Sequence, residues 1–171
     1  LSFGEVGELL AHRARGDDTR AVTPREPVKS ISRETTFDDD TSDTGLLEST
    51  LLRLTEDVCG RLRRQRLEAR TITVKIRYSD FITHTRSRTL RRPLDVDEVF
   101  FVEVLALFRE ARQRRYRIRL VGMGLTNLVP RCWQDDLFDQ ELPLLRDLDL
   151  KIDAIREKYG RDAVRRGAAE G

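Results

Sequence analysis

The chain has 171 residues, of which 36% are charged and 39% hydrophobic, and its formal net charge at pH 7 is +2. This length fits one domain with extensions. No apolar run approaches the roughly 18 residues that a membrane-spanning helix needs, which excludes a helical membrane protein and predicts no membrane partner. The two cysteines, Cys59 and Cys132, have no metal-ligand spacing, and isolated thiols indicate a reducing, cytoplasmic compartment.

The small net charge conceals a strong separation of charge along the chain. Residues 61–92 hold eleven Lys or Arg and only two acids, whereas residues 38–57 hold seven acids and one Arg. Residues 134–153 hold seven acids and two basic residues. A local basic surface is therefore predicted.

The chain opens on Leu1 in the middle of a pattern, which indicates a fragment of a longer protein. Residues 1–15 predict the end of a helix that Gly16 stops. Residues 17–28 contain two prolines and no periodicity, so they predict an extended linker. The first apolar helix face has no evident partner, which indicates a piece of a neighbouring domain.

Residues 29–37 predict the first strand of the domain itself. Its alternation places Ile31, Arg33, Thr35 and Phe37 on one side and Ser30, Ser32, Glu34 and Thr36 on the other. Residues 38–43 predict an acidic loop that caps the next helix. That helix is predicted over residues 44–66, with an apolar stripe at three- and four-residue steps, namely Leu47, Leu51, Leu54, Val58 and Leu62.

Residues 70–92 predict a β-hairpin. In its first run Ile72, Val74, Ile76 and Tyr78 alternate with Thr71, Thr73, Lys75 and Arg77. This period of two gives one apolar and one polar face. Ser79-Asp80 offers turn chemistry, and residues 83–90 form a second, polar run. We expect one face of the hairpin to seal a core and the other to carry Lys75, Arg77, Arg86 and Arg88. The alternative is an ordinary solvated sheet face.

A second helix and a last strand complete the domain. Asp95 to Glu98 predict a capping box for a helix that ends near Arg114. Its stripe is predicted to be Phe101, Leu105, Phe108 and either Ala111 or Arg112. Residues 116–126 predict the last strand, with Val121, Met123 and Leu125 towards the core. The order β-α-β-β-α-β predicts an α+β, ferredoxin-like fold, in which two helices cover one face of a four-stranded sheet.

The residues that follow predict a tail. Residues 129–133 predict a short connector, and Gln134 to Phe138 predict a compact polar segment that ends in two large apolar residues. Residues 143–159 predict an amphipathic helix with a stripe of Leu145, Leu148, Ile152 and Ile155.

No catalytic site is predicted from the sequence. The phosphate-binding, dinucleotide-binding and zinc-protease motifs are absent. His12 and His84 are isolated, and the three carboxylates of residues 38–40 are more typical of a solvated cap than of a metal site. We therefore expect neither catalytic residues nor a metal site or cofactor in this chain.

A basic sheet face favours binding to nucleic-acid backbone. Arg binds phosphate through two parallel hydrogen bonds, and Ser and Thr hydroxyls add neutral contacts that do not read sequence. The predicted face carries few aromatic residues on which bases could stack, so duplex is favoured over single strands.

Four motifs together resemble the little finger domain of Y-family DNA polymerases, in particular the bacterial DNA polymerase IV group. They are KSISRETTF, TVKIRYSDF, TRSRTL and RLVGMGLTNL, and the resemblance covers residues 29–128. Residues 3–27 resemble the end of the thumb domain and its linker. QDDLF at Gln134 to Phe138 resembles the family's clamp-binding pentapeptide, although Asp135 stands where the family often has Leu.

The resemblance implies a function for named residues. The little finger would lie along the major groove of primer–template duplex, with DNA contacts from Lys29, Ser30, Ser32, Lys75, Arg77, Arg86 and Arg88. Gln134, Leu137 and Phe138 would bind the sliding clamp. The family's palm and fingers have no counterpart here, so the fragment is expected not to polymerise. Mg²⁺ is expected only in the parent polymerase, a bacterial cytoplasmic, nucleoid-associated enzyme of lesion bypass.

The expected organisation is the end of the thumb and linker in residues 1–28, the little finger in 29–128 and the tail in 129–171, in a monomeric fragment. One alternative is a ferredoxin-like protein-interaction or regulatory module whose sheet face dimerises, which a large apolar sheet face would support. A small enzyme is a further alternative, against which the absence of a site argues.

Overall fold

The structure is a computed structural model that describes residues 4–17, 28–112, 116–131 and 141–166. Its helices and strands are, in chain order, α1 (Gly4–Ala14), β1 (Ser30–Thr41), α2 (Thr44–Arg64), β2 (Leu67–Tyr78), β3 (Thr83–Leu94), α3 (Asp97–Ala111), β4 (Ile118–Pro130) and α4 (Glu141–Tyr159). A 3-10 turn, Arg161–Ala163, follows α4.

The strands of the described residues form one antiparallel sheet in the order β1-β4-β2-β3. The last strand of the chain therefore lies between the first two. Helices α2 and α3 pack on the same side of the sheet and share one apolar core with it. The predicted β-α-β-β-α-β order and the α+β class, with two helices over one sheet face, are confirmed.

The core follows the alternation of the strands. Ile72, Val74, Ile76 and Tyr78 of β2 are completely buried, as are Val121 and Leu125 of β4, with Met123 almost so. From α2 the predicted stripe is buried in full, namely Leu47, Leu51, Leu54, Val58 and Leu62. These elements agree with the sequence because only one phase of each pattern removes the apolar side chains from water.

Strand β1 is longer than the sequence predicts. The predicted acidic loop at residues 38–43 is wrong over its first part, because Asp38 to Thr41 continue β1, and Thr41 pairs with Ile118 after a register shift. An edge strand tolerates carboxylates because one of its sides faces solvent. Only the last acid caps α2, where Oδ1 of Asp43 accepts hydrogen bonds from the backbone N–H of Gly45 at 2.8 Å and Leu46 at 3.3 Å.

Helix α3 has a different phase and a different cap from those predicted. Its buried apolar residues are Phe100, Val104, Leu107, Phe108 and Ala111, so Phe101 and Leu105 do not belong to the stripe. The apolar residues of this helix lie on nearly all of its sides. Its sequence alone therefore does not determine which side is buried. It ends at Ala111 rather than near Arg114. The predicted capping box is absent, and Oδ2 of Asp149 in α4 instead accepts a hydrogen bond from the backbone N–H of Asp97 at 2.9 Å.

Helix α4 is confirmed as a helix, but only part of its predicted apolar stripe is buried. Ile152 is buried, whereas Leu148 is 50% exposed and Ile155 is also exposed. The helix docks on the domain through charge. We call Arg63, Asp97, Asp149 and Asp153 the Arg63 cluster. The Arg63 side chain, 2% exposed, donates to carboxylates of Asp97 at 2.6 Å and Asp153 at 2.7 Å, and Asp149 lies 3.5 Å away.

Outer ion pairs complete this docking. Arg166 reaches Asp149 at 2.5 Å and Asp97 at 3.6 Å, Arg146 reaches Asp95 at 2.5 Å, and Arg156 reaches Glu56 at 2.9 Å. Gly60 lies one turn before Arg63, and a Cβ atom there would come within 3.2 Å of a carboxylate oxygen of Asp153. The glycine thus allows close approach of α4 to α2.

The Arg63 cluster predicts a pH-dependent stability. Burial raises the pKa of Asp97 to about 7, with Arg63 and Arg166 opposing this rise and Asp149 adding to it, and burial raises the pKa of Asp95 to about 6. The folded protein then holds protons that the unfolded chain has lost. This contribution favours folding at low pH and is lost as the pH rises through about 7.

We therefore expect the free energy of unfolding in urea to fall by up to about 2 kcal/mol from pH 5.5 to 7.5 through Asp97. In an Asp97→Asn variant most of this slope should disappear. A wild-type stability that is constant or rises over this interval would contradict the assignment.

Candidate nucleic-acid interface

The side of the sheet opposite α2 and α3 is covered by no described helix, and we call it the open face. Registers and burial place on it Ser30, Ser32, Glu34 and Thr36 of β1, Leu120, Gly122, Gly124 and Thr126 of β4, Thr71, Thr73, Lys75 and Arg77 of β2, and Thr83, Thr85, Ser87 and Thr89 of β3. Most of these residues are hydroxyl-bearing or glycine. The face therefore offers small, hydrogen-bonding groups rather than an apolar surface.

A shallow concavity of about 240 Å³ lies in the middle of the open face. Its floor is β4, where Gly122 and Gly124 contribute no side chains, and its walls include Ser32, Lys75 and Thr85. The sequence predicts this arrangement in part, because alternation places both glycines opposite the core-facing residues of the same strand. The absence of side chains there allows another backbone to approach the sheet closely.

The cations of the open face make specific contacts. Nζ of Lys75 donates to both carboxylate oxygens of Glu34, at 2.8 and 3.0 Å, and Nε of Arg77 donates to Oγ1 of Thr83 at 3.0 Å. The hydroxyls of Thr71 and Thr89 lie 2.9 Å apart. All of these side chains are at least partly accessible.

Arg86 and Arg88 do not share a face with Lys75 and Arg77, and this part of the prediction is wrong. Arg86 pairs with Val74 and Arg88 with Ile72. Directly paired residues in an antiparallel ladder point to the same side. Both arginines therefore lie on the helix-covered side of the sheet, along its β3 edge.

The reason lies in the turn. The last pair of the β2–β3 ladder is Arg77 with Thr83, so five residues, 78–82, connect the paired positions, and odd-numbered residues of β2 meet odd-numbered residues of β3. A register different by one residue would have exchanged the two faces of β3. The spacing of Arg86 and Arg88 shows only that they share a side, not which side.

The two arginines differ in their contacts. Arg88 forms ion pairs with Glu103, at 2.6 Å, and with Glu110, both on α3. Nη1 of Arg86 donates to the carbonyl oxygen of its neighbour Thr85 at 3.0 Å. Arg88 is thus held by two carboxylates, whereas the hydrogen bond of Arg86 is local to the β3 edge.

The structure brings together five of the predicted DNA-binding residues. Ser30, Ser32, Lys75 and Arg77 lie on the open face, and Lys29 immediately precedes β1 and is exposed. The prediction missed the hydroxyls of β3, which are Thr83, Thr85, Ser87 and Thr89. Their alternation is visible in the sequence, but their side of the sheet follows from the register, in which Thr83 pairs with Arg77 rather than with Tyr78. The predicted clamp-binding residues Gln134, Leu137 and Phe138 lie outside the described residues.

The described residues show neither a metal-binding cluster nor a membrane-spanning helix. In residues 4–17, 28–112, 116–131 and 141–166, no group of three His, Cys, Asp or Glu side chains could hold a metal ion. Over the same ranges, no helix is long and apolar enough to cross a membrane. Burial raises the pKa of the Cys59 thiol, so this side chain is an inert part of the core rather than a reactive thiol.

Comparison with known proteins agrees with the family resemblance of the sequence motifs. Residues 28–137 match the impB/mucB/samB family C-terminal domain. A DNA polymerase IV of Dehalococcoides mccartyi (strain CBDB1) is 35% identical over 166 residues, which are 96% of this chain and 42% of the relative. A DNA polymerase IV of Brucella melitensis biotype 1 is 36% identical over 168 residues, 97% of this chain and 38% of the relative. The chain therefore spans about two fifths of the length of these curated relatives.

A solved structure has the same fold. The post-insertion binary complex of Dbh DNA polymerase aligns with a TM-score of 0.52 at 18% identity, over 72% of this chain and 36% of that one. At this identity the similarity shows the fold alone.

Proposed function

We propose that this chain, which belongs to the impB/mucB/samB family and carries its C-terminal domain at residues 28–137, is a non-catalytic part of a lesion-bypass DNA polymerase. The family predicted from the sequence is confirmed, and the relatives are named DNA polymerase IV. In this proposal the open face binds the backbone of primer–template duplex. The segment from Gln134 to Phe138 tethers the polymerase to its sliding clamp.

The open face is the observation that carries the proposal. It combines two cations with rows of Ser and Thr hydroxyls and a glycine floor, and this set can contact phosphates without reading bases. The rival reading, a module that dimerises through its sheet, needs a large apolar sheet face. Apart from Leu120, the residues that the registers place on the open face are polar or glycine, which argues against that rival.

The other functional assignments follow as parts of the same proposal. Residues 1–28 are the end of the thumb and the linker, 29–128 are the little finger, and 129–171 are the tail. The chain works without a cofactor as a monomeric part of a bacterial cytoplasmic enzyme associated with the nucleoid. Mg²⁺ and the catalytic carboxylates belong to the parts of the parent polymerase that this chain does not include.

We expect the predicted DNA contacts to differ in importance, because they lie on different sides of the sheet. Lys75 and Arg77 are the central contacts of the open face, supported by Ser30 and Ser32. Arg86 and Arg88 can contact only DNA backbone that extends around the β3 edge. Arg88 must also break its ion pairs with two carboxylates to do so. We therefore expect the four arginine and lysine side chains to contribute unequally.

Duplex binding measured as a function of salt tests this function. We expect wild type to bind unrelated duplex sequences alike, with an affinity that falls as salt rises. Lys75→Ala/Arg77→Ala should weaken binding on every sequence and reduce the log–log salt slope by up to about 2, since each phosphate contact contributes about 0.9.

Arg88→Ala is the matched control, because it removes a cation from the same sheet but from the other side. We expect it to change binding less than the double substitution does, with Arg86→Ala between them. If Arg88→Ala weakened binding more than Lys75→Ala/Arg77→Ala, the duplex would lie on the wrong side of the sheet for this proposal.

A further inference from the structure

A row of three residues crosses the open face in register. Gly122 of β4 pairs with Glu34 of β1 on one side and with Lys75 of β2 on the other. Because Gly122 has no side chain, Glu34 and Lys75 can meet across it, and they form the ion pair with distances of 2.8 and 3.0 Å. This ion pair therefore spans three strands above the glycine floor.

The space above Gly122 is occupied by the Glu34 side chain. A Cβ atom at residue 122 would lie 2.7 Å from Cγ of Glu34, a distance that real Cβ contacts do not reach. The Glu34 side chain therefore lies along the sheet surface over Gly122 of β4 instead of pointing straight out from the sheet. In the next row, Ser32, Gly124 and Thr73 occupy the equivalent positions, and that row contains no charge.

Glu34 is the one carboxylate among the residues that form the rows between Ser30–Thr126 and Glu34–Gly122 of the open face. Its two oxygens both contact the ammonium group of Lys75, which is how phosphate oxygens would also be bound. A carboxylate in this position repels an approaching phosphate and occupies the cation that would receive it. The pair is nevertheless exchangeable, because the side chains of Lys75 and Glu34 are 30% and 41% exposed, and exposed pairs are weak.

We propose that Glu34 limits the affinity of the open face for duplex, by holding Lys75 until a phosphate displaces the carboxylate. This inference rests on the proposed function, since it assigns a role within the same interface. It gives a physical reason for an acid at the centre of a phosphate-binding surface. Such a residue keeps binding weak and reversible, which suits a domain that must move along the duplex.

A charge-neutral, isosteric substitution tests the proposal. Glu34→Gln should bind duplex about three- to tenfold more tightly than wild type at low salt, and its log–log salt slope should be steeper by about 0.9, the contribution of one phosphate. Asp147→Asn is the matched control. It removes one acid from another exposed pair with lysine, Lys151 to Asp147 at 2.6 Å on α4, and it should leave duplex binding within about twofold of wild type.

A double-substitution cycle separates release of Lys75 from simple loss of negative charge. Starting from Lys75→Ala, adding Glu34→Gln should bring a smaller gain than in wild type, because only the repulsion of phosphate is relieved and there is no ammonium group left to release. An equal gain in both backgrounds would overturn the proposed hold on Lys75. So would unchanged or weaker binding by Glu34→Gln while its melting temperature matches wild type.

The outcomes also separate this inference from the function on which it rests. If wild type binds duplex in a salt-dependent manner and Glu34→Gln has no effect, only the role of Glu34 fails. If neither wild type nor Glu34→Gln binds duplex, the proposed function fails, and the role of Glu34 fails with it.

Discussion

Replacing Arg63 with alanine is expected to lower the free energy of unfolding by about 3–5 kcal/mol, because it leaves buried carboxylates without their cation. The Arg63 side chain is 2% exposed and contacts acids from two different helices besides its own. Nη1 also donates to the carbonyl oxygen of Asp95 at 2.8 Å. Removal of one partner of such a network is costly even where the intact network stabilises little.

The effect should extend to the docking of α4. Asp149 and Asp153 of this helix lose their common partner in Arg63→Ala, and Asp149 also caps α3. Few apolar residues of α4 are buried, so the helix has little hydrophobic contact to replace the lost ion pairs. We expect the backbone amides of α4 to exchange with solvent faster in this variant, in addition to the global loss of stability.

Arg64→Ala is the matched control for this prediction. Arg64 is the next residue of the same helix and is exposed, so its replacement should change the free energy of unfolding by no more than about 0.5 kcal/mol. Urea unfolding of both variants at one pH gives the comparison. A loss below about 1 kcal/mol for Arg63→Ala would show that the cluster does not hold the domain together.

The second large effect concerns the proposed clamp tether. Leu137→Ala/Phe138→Ala is expected to abolish binding to a bacterial sliding clamp while leaving the melting temperature of the domain unchanged. The two apolar side chains would fill a pocket on the clamp, and Gln134 would fix the register through its amide. A few buried side chains carry most of the energy of such an interface.

Described residues on both sides of this segment contact the domain. Before it, the backbone N–H of Arg131 donates to the carbonyl oxygen of Arg66 at 3.0 Å. After it, α4 begins at Glu141 and docks on the Arg63 cluster.

Titration of labelled chain with clamp tests the tether. The matched control is Phe81→Ala/Ile82→Ala, which removes two exposed apolar side chains at the turn between β2 and β3 and should leave clamp binding unchanged. The opposing reading is that Leu137 and Phe138 pack on their own domain. Unaltered clamp binding by Leu137→Ala/Phe138→Ala, or a large fall in its melting temperature, would favour that reading.

The sequence alone determined the elements whose patterns have a single solution. In β2, only one alternation buries Ile72, Val74 and Ile76, and in α2 only one helical phase buries the leucine stripe. Their order and the family motifs were sufficient for the fold class. For the site, alternation was also sufficient to place Ser30, Ser32, Lys75 and Arg77 correctly.

Only the tertiary structure decided the relations between elements. The side on which Arg86 and Arg88 lie depends on strand register, which the five-residue connection 78–82 sets, and a difference of one residue reverses it. The phase of α3 depends on what packs against it, since its own sequence is apolar nearly all round. The docking of α4 depends on Arg63, Asp97, Asp149 and Asp153 meeting in space. Charged side chains far apart in sequence carry no periodic signal, because burial of a charge requires a partner that only folding brings near.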